Sequence, residues 1–309
     1  MATSSSCFSL VPLIETHVLR KTFTSSGLCS KTLAIDSDTT FHYWSPAEES
    51  SSTTLPALIL LHGFGPNPLW QWSNQVKYLS KYFAIYVPDL IFFGESTTNS
   101  KERSEVFQAV SVAKLLEMLC VVKFSVMGTS YGGFVAYHMA RLWPERVEKV
   151  VIASSGVNMT WQDNVELLNR GKVEKIDDLL IPSSPDQLRN CLRMCTYKRS
   201  PIYVPDFVLN DFLNRLFGEN RKEKLELLEG VTLGREDVIS ISRLPHEVLI
   251  VWGEHDQIFP LQRGYELKEL IGDNVNMEVM PKTSHTPQAE NPKLFNSIVE
   301  KFLCGVSSS

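Results

Sequence analysis

Ser130 sits inside Gly128-Thr-Ser-Tyr-Gly132-Gly133, a G-x-S-x-G pattern with a second glycine behind it. Before it runs Lys123-Phe-Ser-Val-Met127, which reads as a strand. After it runs Phe134-Val-Ala-Tyr-His-Met-Ala-Arg-Leu142, which reads as a helix. Five residues of this kind arise often by chance. On a strand-to-helix junction they describe a turn tight enough to strain the serine backbone and project its hydroxyl into a cleft. Small residues at Gly128, Gly132 and Gly133 let the strand and helix approach closely. A serine hydroxyl becomes a strong nucleophile only beside a base that takes its proton, and that base needs an acid to hold its tautomer.

Downstream segments offer both partners. The apolar run Val248-Leu-Ile-Val-Trp252 reads as a buried strand and ends in Gly253-Glu-His-Asp256, so Glu254 and Asp256 compete for the acid. A shorter strand, Val275-Asn-Met-Glu-Val-Met280, leads into Pro281-Lys-Thr-Ser-His285, and His285 competes with His62 and His255 for the base. Asp256 lies 126 residues beyond Ser130, room for an inserted domain, and His285 a further 29, room for one helix and one strand. An acid after the strand Val147–Ala153 is disfavoured, because that loop reads Ser154-Ser-Gly-Val-Asn158 and carries no carboxylate.

Five segments then share a pattern: Leu61-His-Gly-Phe64-Gly, Pro88-Asp-Leu-Ile-Phe-Phe-Gly94-Glu-Ser96, the Ser130 turn, Trp252-Gly-Glu-His-Asp256 and His285-Thr-Pro-Gln-Ala-Glu-Asn-Pro292. Across roughly residues 57–303 the chain resembles the α/β-hydrolase superfamily, close to plant proteins with monoacylglycerol-lipase-like or epoxide-hydrolase-like sequences. The resemblance implies a mostly parallel central sheet flanked by helices, with an inserted helical cap. It favours Asp256 as the acid, His285 as the base and His62 as a structural histidine. His255 is read as a loop residue, and His17, His42, His138 and His246 as surface or packing residues. The main-chain N–H groups of Phe64 and Tyr131 would form the oxyanion hole, since ester cleavage builds charge on the carbonyl oxygen. Serine at the nucleophile position argues against a true epoxide hydrolase, which uses aspartate there. The implied activity is carboxylic ester hydrolysis through an acyl-enzyme, on lipid-like esters such as monoacylglycerols, with no metal or organic cofactor. A small-molecule receptor that retains the triad and a carbon–carbon hydrolase or lyase are the alternatives, because this fold hosts many chemistries.

The elements that position these residues alternate between strand and helix, the sign of a parallel sheet. Val18–Phe23 and Lys31–Ile35 read as leading strands, 57–61 and 83–87 as strands, and 70–81 and 102–119 as helices. The polar stretch Glu48–Thr54 reads as a surface turn. Between about 157 and 243 strand signals vanish, and helices are expected at 187–197, 207–217 and 219–229. This gives a core of 1–156 and 244–309 and a cap of 157–243. Of Leu188, Leu192, Met194, Phe207, Leu209, Phe212 and Leu216, most are expected to pack within the cap and a few to face a cleft over Ser130, and Phe207, Phe212, Leu213 and Leu216 suggest an acyl tunnel. Arg189, Arg193, Lys198 and Arg199 read as a solvated face, with contact to an anionic lipid surface as the alternative.

Hydrophobic residues make up 43% of the 309 and charged residues 21%, which fits a globular chain. A net charge of −5 gives no sign of nucleic-acid binding. Six scattered cysteines fit neither a disulfide framework nor a zinc site, and reduced thiols point to a cytoplasmic protein. The N-terminal apolar stretch lacks the basic start of a signal peptide, and the terminal serines are not a peroxisomal address.

Overall fold

The computed structural model describes residues 9–47, 55–198, 204–236 and 241–305. The expected turn at Glu48–Thr54, Arg199 and the serine tail fall outside them. Among the described residues are nine strands: β1 Leu28–Ala34, β2 Thr39–Pro46, β3 Ala57–Leu61, β4 Ala84–Pro88, β5 Thr97–Thr98, β6 Phe124–Thr129, β7 Val147–Ala153, β8 Glu247–Gly253 and β9 Val275–Met280. They form one sheet in the order β1-β2-β4-β3-β6-β7-β8-β9, with β5 beside β2. The pairings from β4 through β3, β6, β7, β8 and β9 are parallel. Those of β2 with β1, β4 and β5 are antiparallel.

The helices are α1 Leu10–Ile14, α2 Arg20–Ser25, α3 Pro68–Leu79, α4 Glu105–Met118, α5 Tyr131–Leu142, α6 Trp161–Gly171, α7 Asp177–Leu180, α8 Pro185–Cys195, α9 Asp206–Phe212, α10 Arg221–Gly230, α11 Leu261–Ile271, α12 Pro287–Glu290 and α13 Pro292–Cys304. Several of these helices are capped by short polar side chains. The side chains of Asn67, Ser104 and Ser184 accept from main-chain amides in the first turns of α3, α4 and α8.

Strand periodicity divides the core. Leu58 and Leu60 of β3 face a layer containing Trp72 and Val76 of α3 and Phe295 and Val299 of α13. Ile59 and Leu61 face the opposite layer, with Val112 and Leu116 of α4 and Val135 and Met139 of α5. The leading strand expected at Val18–Phe23 is instead helical: a π-turn over Glu15–Leu19 runs into α2. Leu19 and Phe23, four residues apart, are both buried against Trp44 and the α3 layer, and that spacing suits a helix rather than a strand. The other expected leading strand, Lys31–Ile35, falls mostly within β1, which pairs antiparallel with β2.

Between β7 and β8 the chain runs through α6 to α10 with no strand among its described residues. A π-turn, Leu213–Phe217, continues α9. No described helix is long and apolar enough to cross a membrane.

Candidate active site

Parallel strands bring their carboxyl ends to one edge of the sheet, where α/β folds place their crevices. Ser130 lies at that edge, between β6 and α5, at φ 51° and ψ −122°. A non-glycine residue in that region stores strain, and the surroundings must hold it there. Its N–H donates to Ala153 O at 3.0 Å, and Ser155 Oγ donates to its carbonyl at 2.6 Å. In the sequence Ser155 stands out only as part of a loop without a carboxylate. A Cβ on Gly128 would overlap the Gly132 carbonyl, and one on Gly132 would overlap the carbonyls of Leu61 and His62. The turn is therefore pressed against both its own helix and the loop after β3.

The loops after β8 and β9 deliver the partners. His285 Nε2 is 3.0 Å from Ser130 Oγ, and His285 Nδ1 is 3.0 Å from Asp256 Oδ2. Both His285 and Asp256 are buried. Asp256 Oδ1 accepts from the N–H groups of Ile258 and Phe259 at 2.9 and 3.0 Å, which turns its other oxygen to the histidine. With Nδ1–H donating to that carboxylate, Nε2 is left as an acceptor facing the serine hydroxyl. Phe259 also packs its ring edge-on to His285 at 5.5 Å.

The competing residues lie elsewhere. Glu254 accepts from Lys282 N and sits 3.3 Å from His255 Nε2, with both side chains about half exposed. His62 is wholly buried. Its Nε2 accepts from Leu90 N at 3.0 Å, so its Nδ1–H donates to Gly63 O at 2.9 Å. Burial pushes the His62 pKa down to about 4, leaving it a neutral brace for the turn. His42 is one of the packing histidines, buried with Nδ1 2.8 Å from Asp89 Oδ2. Burial disfavours its charge, but the Asp89 hydrogen bond and field outweigh this and raise its pKa.

Phe64 follows the braced His62-Gly63 pair, and Tyr131 opens α5. Their rings meet edge-to-face at 4.9 Å. A Cβ on Gly63 would lie 2.9 Å from Ser130 Cβ, so this loop abuts the nucleophile. Gln71 fixes it by accepting from Gly63 N and donating to Gly63 O and Pro66 O. Phe93 packs on both His62 and Phe64, with the buried Lys224 ammonium 5.1 Å from its ring centre. Burial lowers the Lys224 pKa to about 8.

A cavity of about 360 Å³ opens above Ser130. Phe64, Tyr131, Phe134, Ile258 and Phe259 line it from the core. Met159, Leu167, Leu168, Ile176, Leu180, Leu228, Val231 and Leu233 line it from the insert, with Trp161, Asn164, Glu229 and Arg235 also contributing. The tunnel residues expected from the sequence do not form this lining. Leu188, Leu209, Phe212, Leu213 and Leu216 pack with Val11 of the N-terminal helix and with Phe217. The Phe212 ring lies 5.2 Å from Trp70. Phe207 and Leu192 face solvent at 70% and 47% exposure, and Met194 is buried in the main core. Much of the lining comes instead from α6 and α7, elements that the sequence pattern does not single out. Of the basic group, Arg189 pairs with Asp186 and Asp206, and Arg193 bonds Asn190.

The α/β hydrolase fold family model matches residues 56–190. Monoacylglycerol lipase ABHD6 of Mus musculus is 28% identical over 276 residues, covering 82% of this chain and 77% of that protein. Lipase 1 of Psychrobacter immobilis is 27% identical, covering 82% and 80%. Among solved structures, 2-hydroxy-6-oxo-6-phenylhexa-2,4-dienoate hydrolase from Rhodococcus sp. strain RHA1 superposes with a TM-score of 0.70 at 21% identity. That match covers 90% of this chain and 99% of the other, and it is a likeness of fold.

Proposed function

We propose that this chain is an α/β-hydrolase superfamily serine carboxylic ester hydrolase acting on lipid-like acyl esters such as monoacylglycerols, a reading supported by the matches to the fold family model and to monoacylglycerol lipase ABHD6. One observation carries the reading: Ser130, His285 and Asp256 form a hydrogen-bonded line whose serine end opens into a largely aliphatic cavity.

In the proposed mechanism His285 Nε2 takes the Ser130 proton as Oγ attacks the ester carbonyl. Asp256 holds the Nδ1–H tautomer and stabilises the imidazolium. The main-chain N–H groups of Phe64 and Tyr131 receive the developing oxyanion, aided by the positive end of α5. Collapse of the tetrahedral adduct breaks the carbon–oxygen bond to the alcohol, which leaves with the proton returned by His285. Water then attacks the acyl-enzyme with His285 again as base, and the acid product departs. Residues 157–243 serve as a cap over the site and set substrate choice through the α6, α7 and α10 side chains of the lining.

The test is turnover of monoacylglycerols and p-nitrophenyl esters by the wild type and by Ser130→Ala. Wild-type hydrolysis that the substitution abolishes supports the reading. Absent turnover, or full turnover by Ser130→Ala, contradicts it.

A further inference from the structure

His285 is flanked by two hydroxyl residues, and both reach the C-terminal end of α8. Thr286 Oγ1 donates to Cys195 O at 3.2 Å. Ser284 Oγ lies 3.1 Å from Met194 O and 3.0 Å from His255 O, with one proton to share between them. Glu290 completes the set. Its Oε1 accepts from Ser284 N at 2.6 Å, and its Oε2 accepts from Tyr197 N at 2.7 Å, two residues beyond α8. The Tyr197 ring stacks on His255 at 4.5 Å. Glu290 lies in the first turn of the four-residue α12, whose start accounts for the local bond to Ser284 N, but helix capping does not explain a carboxylate beside the negative C-terminal pole of α8. Two short hydrogen bonds to a charged acceptor do, and such bonds are about twice as strong as neutral ones. They join chain segments 93 residues apart.

We propose that Glu290 is a positioning residue: it clamps the His285 loop to the end of α8, so the base stays in register with Ser130 while that end of the insert is docked. The inference rests on the reading of His285 as the base. Ser284, Glu290 and Tyr197 lie outside the cavity lining, so the clamp acts on the proton-transfer step and not on substrate contacts. It also couples the insert to the chemistry, because displacement of α8 pulls on the chain on both sides of His285. The carboxylate is required chemically. Glutamine has one acceptor oxygen, so in Glu290→Gln either Ser284 N–H or Tyr197 N–H meets an amide NH₂ and its bond is lost.

The experiment follows labelling by excess of a small fluorophosphonate, with mass spectrometry to locate the adduct and thermal melting in parallel. The proteins are the wild type, Glu290→Gln, Glu290→Asp and Thr286→Val. A displaced base lowers the labelling rate constant while leaving the fraction finally labelled complete. A merely structural defect lowers that fraction. For Glu290→Gln the expected fall in rate constant is on the order of 10- to 100-fold, the scale of a catalytic group misplaced by about 1 Å. Glu290→Asp should recover part of the rate, and Thr286→Val should show a smaller fall of the same kind. KM for a short ester should stay within about twofold of wild type in all three. Wild-type rate constants in Glu290→Gln and Thr286→Val, or losses that follow only the folded fraction, overturn the clamp. If Glu290→Gln does not fold, Thr286→Val decides by the same criterion. A wild type that is not labelled at Ser130 overturns the site reading instead, and the adduct map distinguishes the two failures.

Discussion

Lengthening the acyl chain of a p-nitrophenyl ester, one even-numbered step at a time from acetate to palmitate, probes the cavity above Ser130 directly. Each methylene moved from water into an apolar lining contributes about 0.8 kcal/mol, which is roughly fourfold in kcat/KM. At about 30 Å³ per water-sized group, the cavity of about 360 Å³ holds on the order of twelve such groups. The profile should therefore climb steeply through octanoate and level off near ten to twelve carbons, all measured as monomeric substrate. Leu168→Ala removes about three carbons from the half-buried lining and should move the plateau outward by two or three carbons. Phe212→Ala should leave the profile in place, because that ring packs on Trp70 outside the cavity. A flat profile, or a maximum at acetate, refutes the assignment of this cavity to the acyl chain.

Asp256→Asn keeps the shape of the site but favours the wrong His285 tautomer, so kcat should fall by about 10³–10⁴, while Glu254→Gln, whose carboxyl bonds the Lys282 amide, should stay near wild type in the same assay. Gly132→Ala forces a methyl against the main-chain carbonyls of Leu61 and His62; a cost of about 1–3 kcal/mol should lower the melting temperature by several degrees, with a loss of activity out of proportion to it. Melting curves between pH 7 and 4 should show acid destabilisation from His62. Its folded pKa of about 4 lies below the ordinary histidine value of 6.5, so its contribution is complete above 6.5 and is lost as pH falls toward 4. The total is roughly 3 kcal/mol, and His42, whose pKa is raised, works in the opposite sense as pH rises above 6.5. An unchanged melting temperature down to pH 4.5 contradicts the buried neutral state of His62.

The parts of the site legible in the sequence are those where backbone geometry restricts residue choice. Only glycine fits at 128 and 132, where main chain meets main chain, and that requirement marks Ser130 in the bare sequence. Asp256 and His285 stand at the ends of apolar runs whose length and flanks give β8 and β9. The cavity wall is harder to read. In Trp161–Gly171 the apolar face is narrow and the other positions are polar, so the helix carries little apolar signal although Leu167 and Leu168 line the cavity. The more apolar segment around Phe212 looks like the better tunnel, yet its side chains are taken up by Val11 of the N-terminal α1 and Trp70 of α3, both distant in sequence. The N-terminal region misleads in its own right. The β-branched and apolar residues of Val18–Phe23 suit a strand locally, and only the tertiary burial of Leu19 with Phe23 decides for the helix.

Activated by His285, Ser130 as the nucleophile must take up a phosphonyl group covalently. Mass spectrometry of the chain after reaction with a fluorophosphonate tests it most directly. One stoichiometric adduct is expected on the peptide carrying Ser130, absent from Ser130→Ala and slowed by several orders of magnitude in His285→Ala. An adduct on another residue, or undiminished labelling of Ser130→Ala, would contradict it.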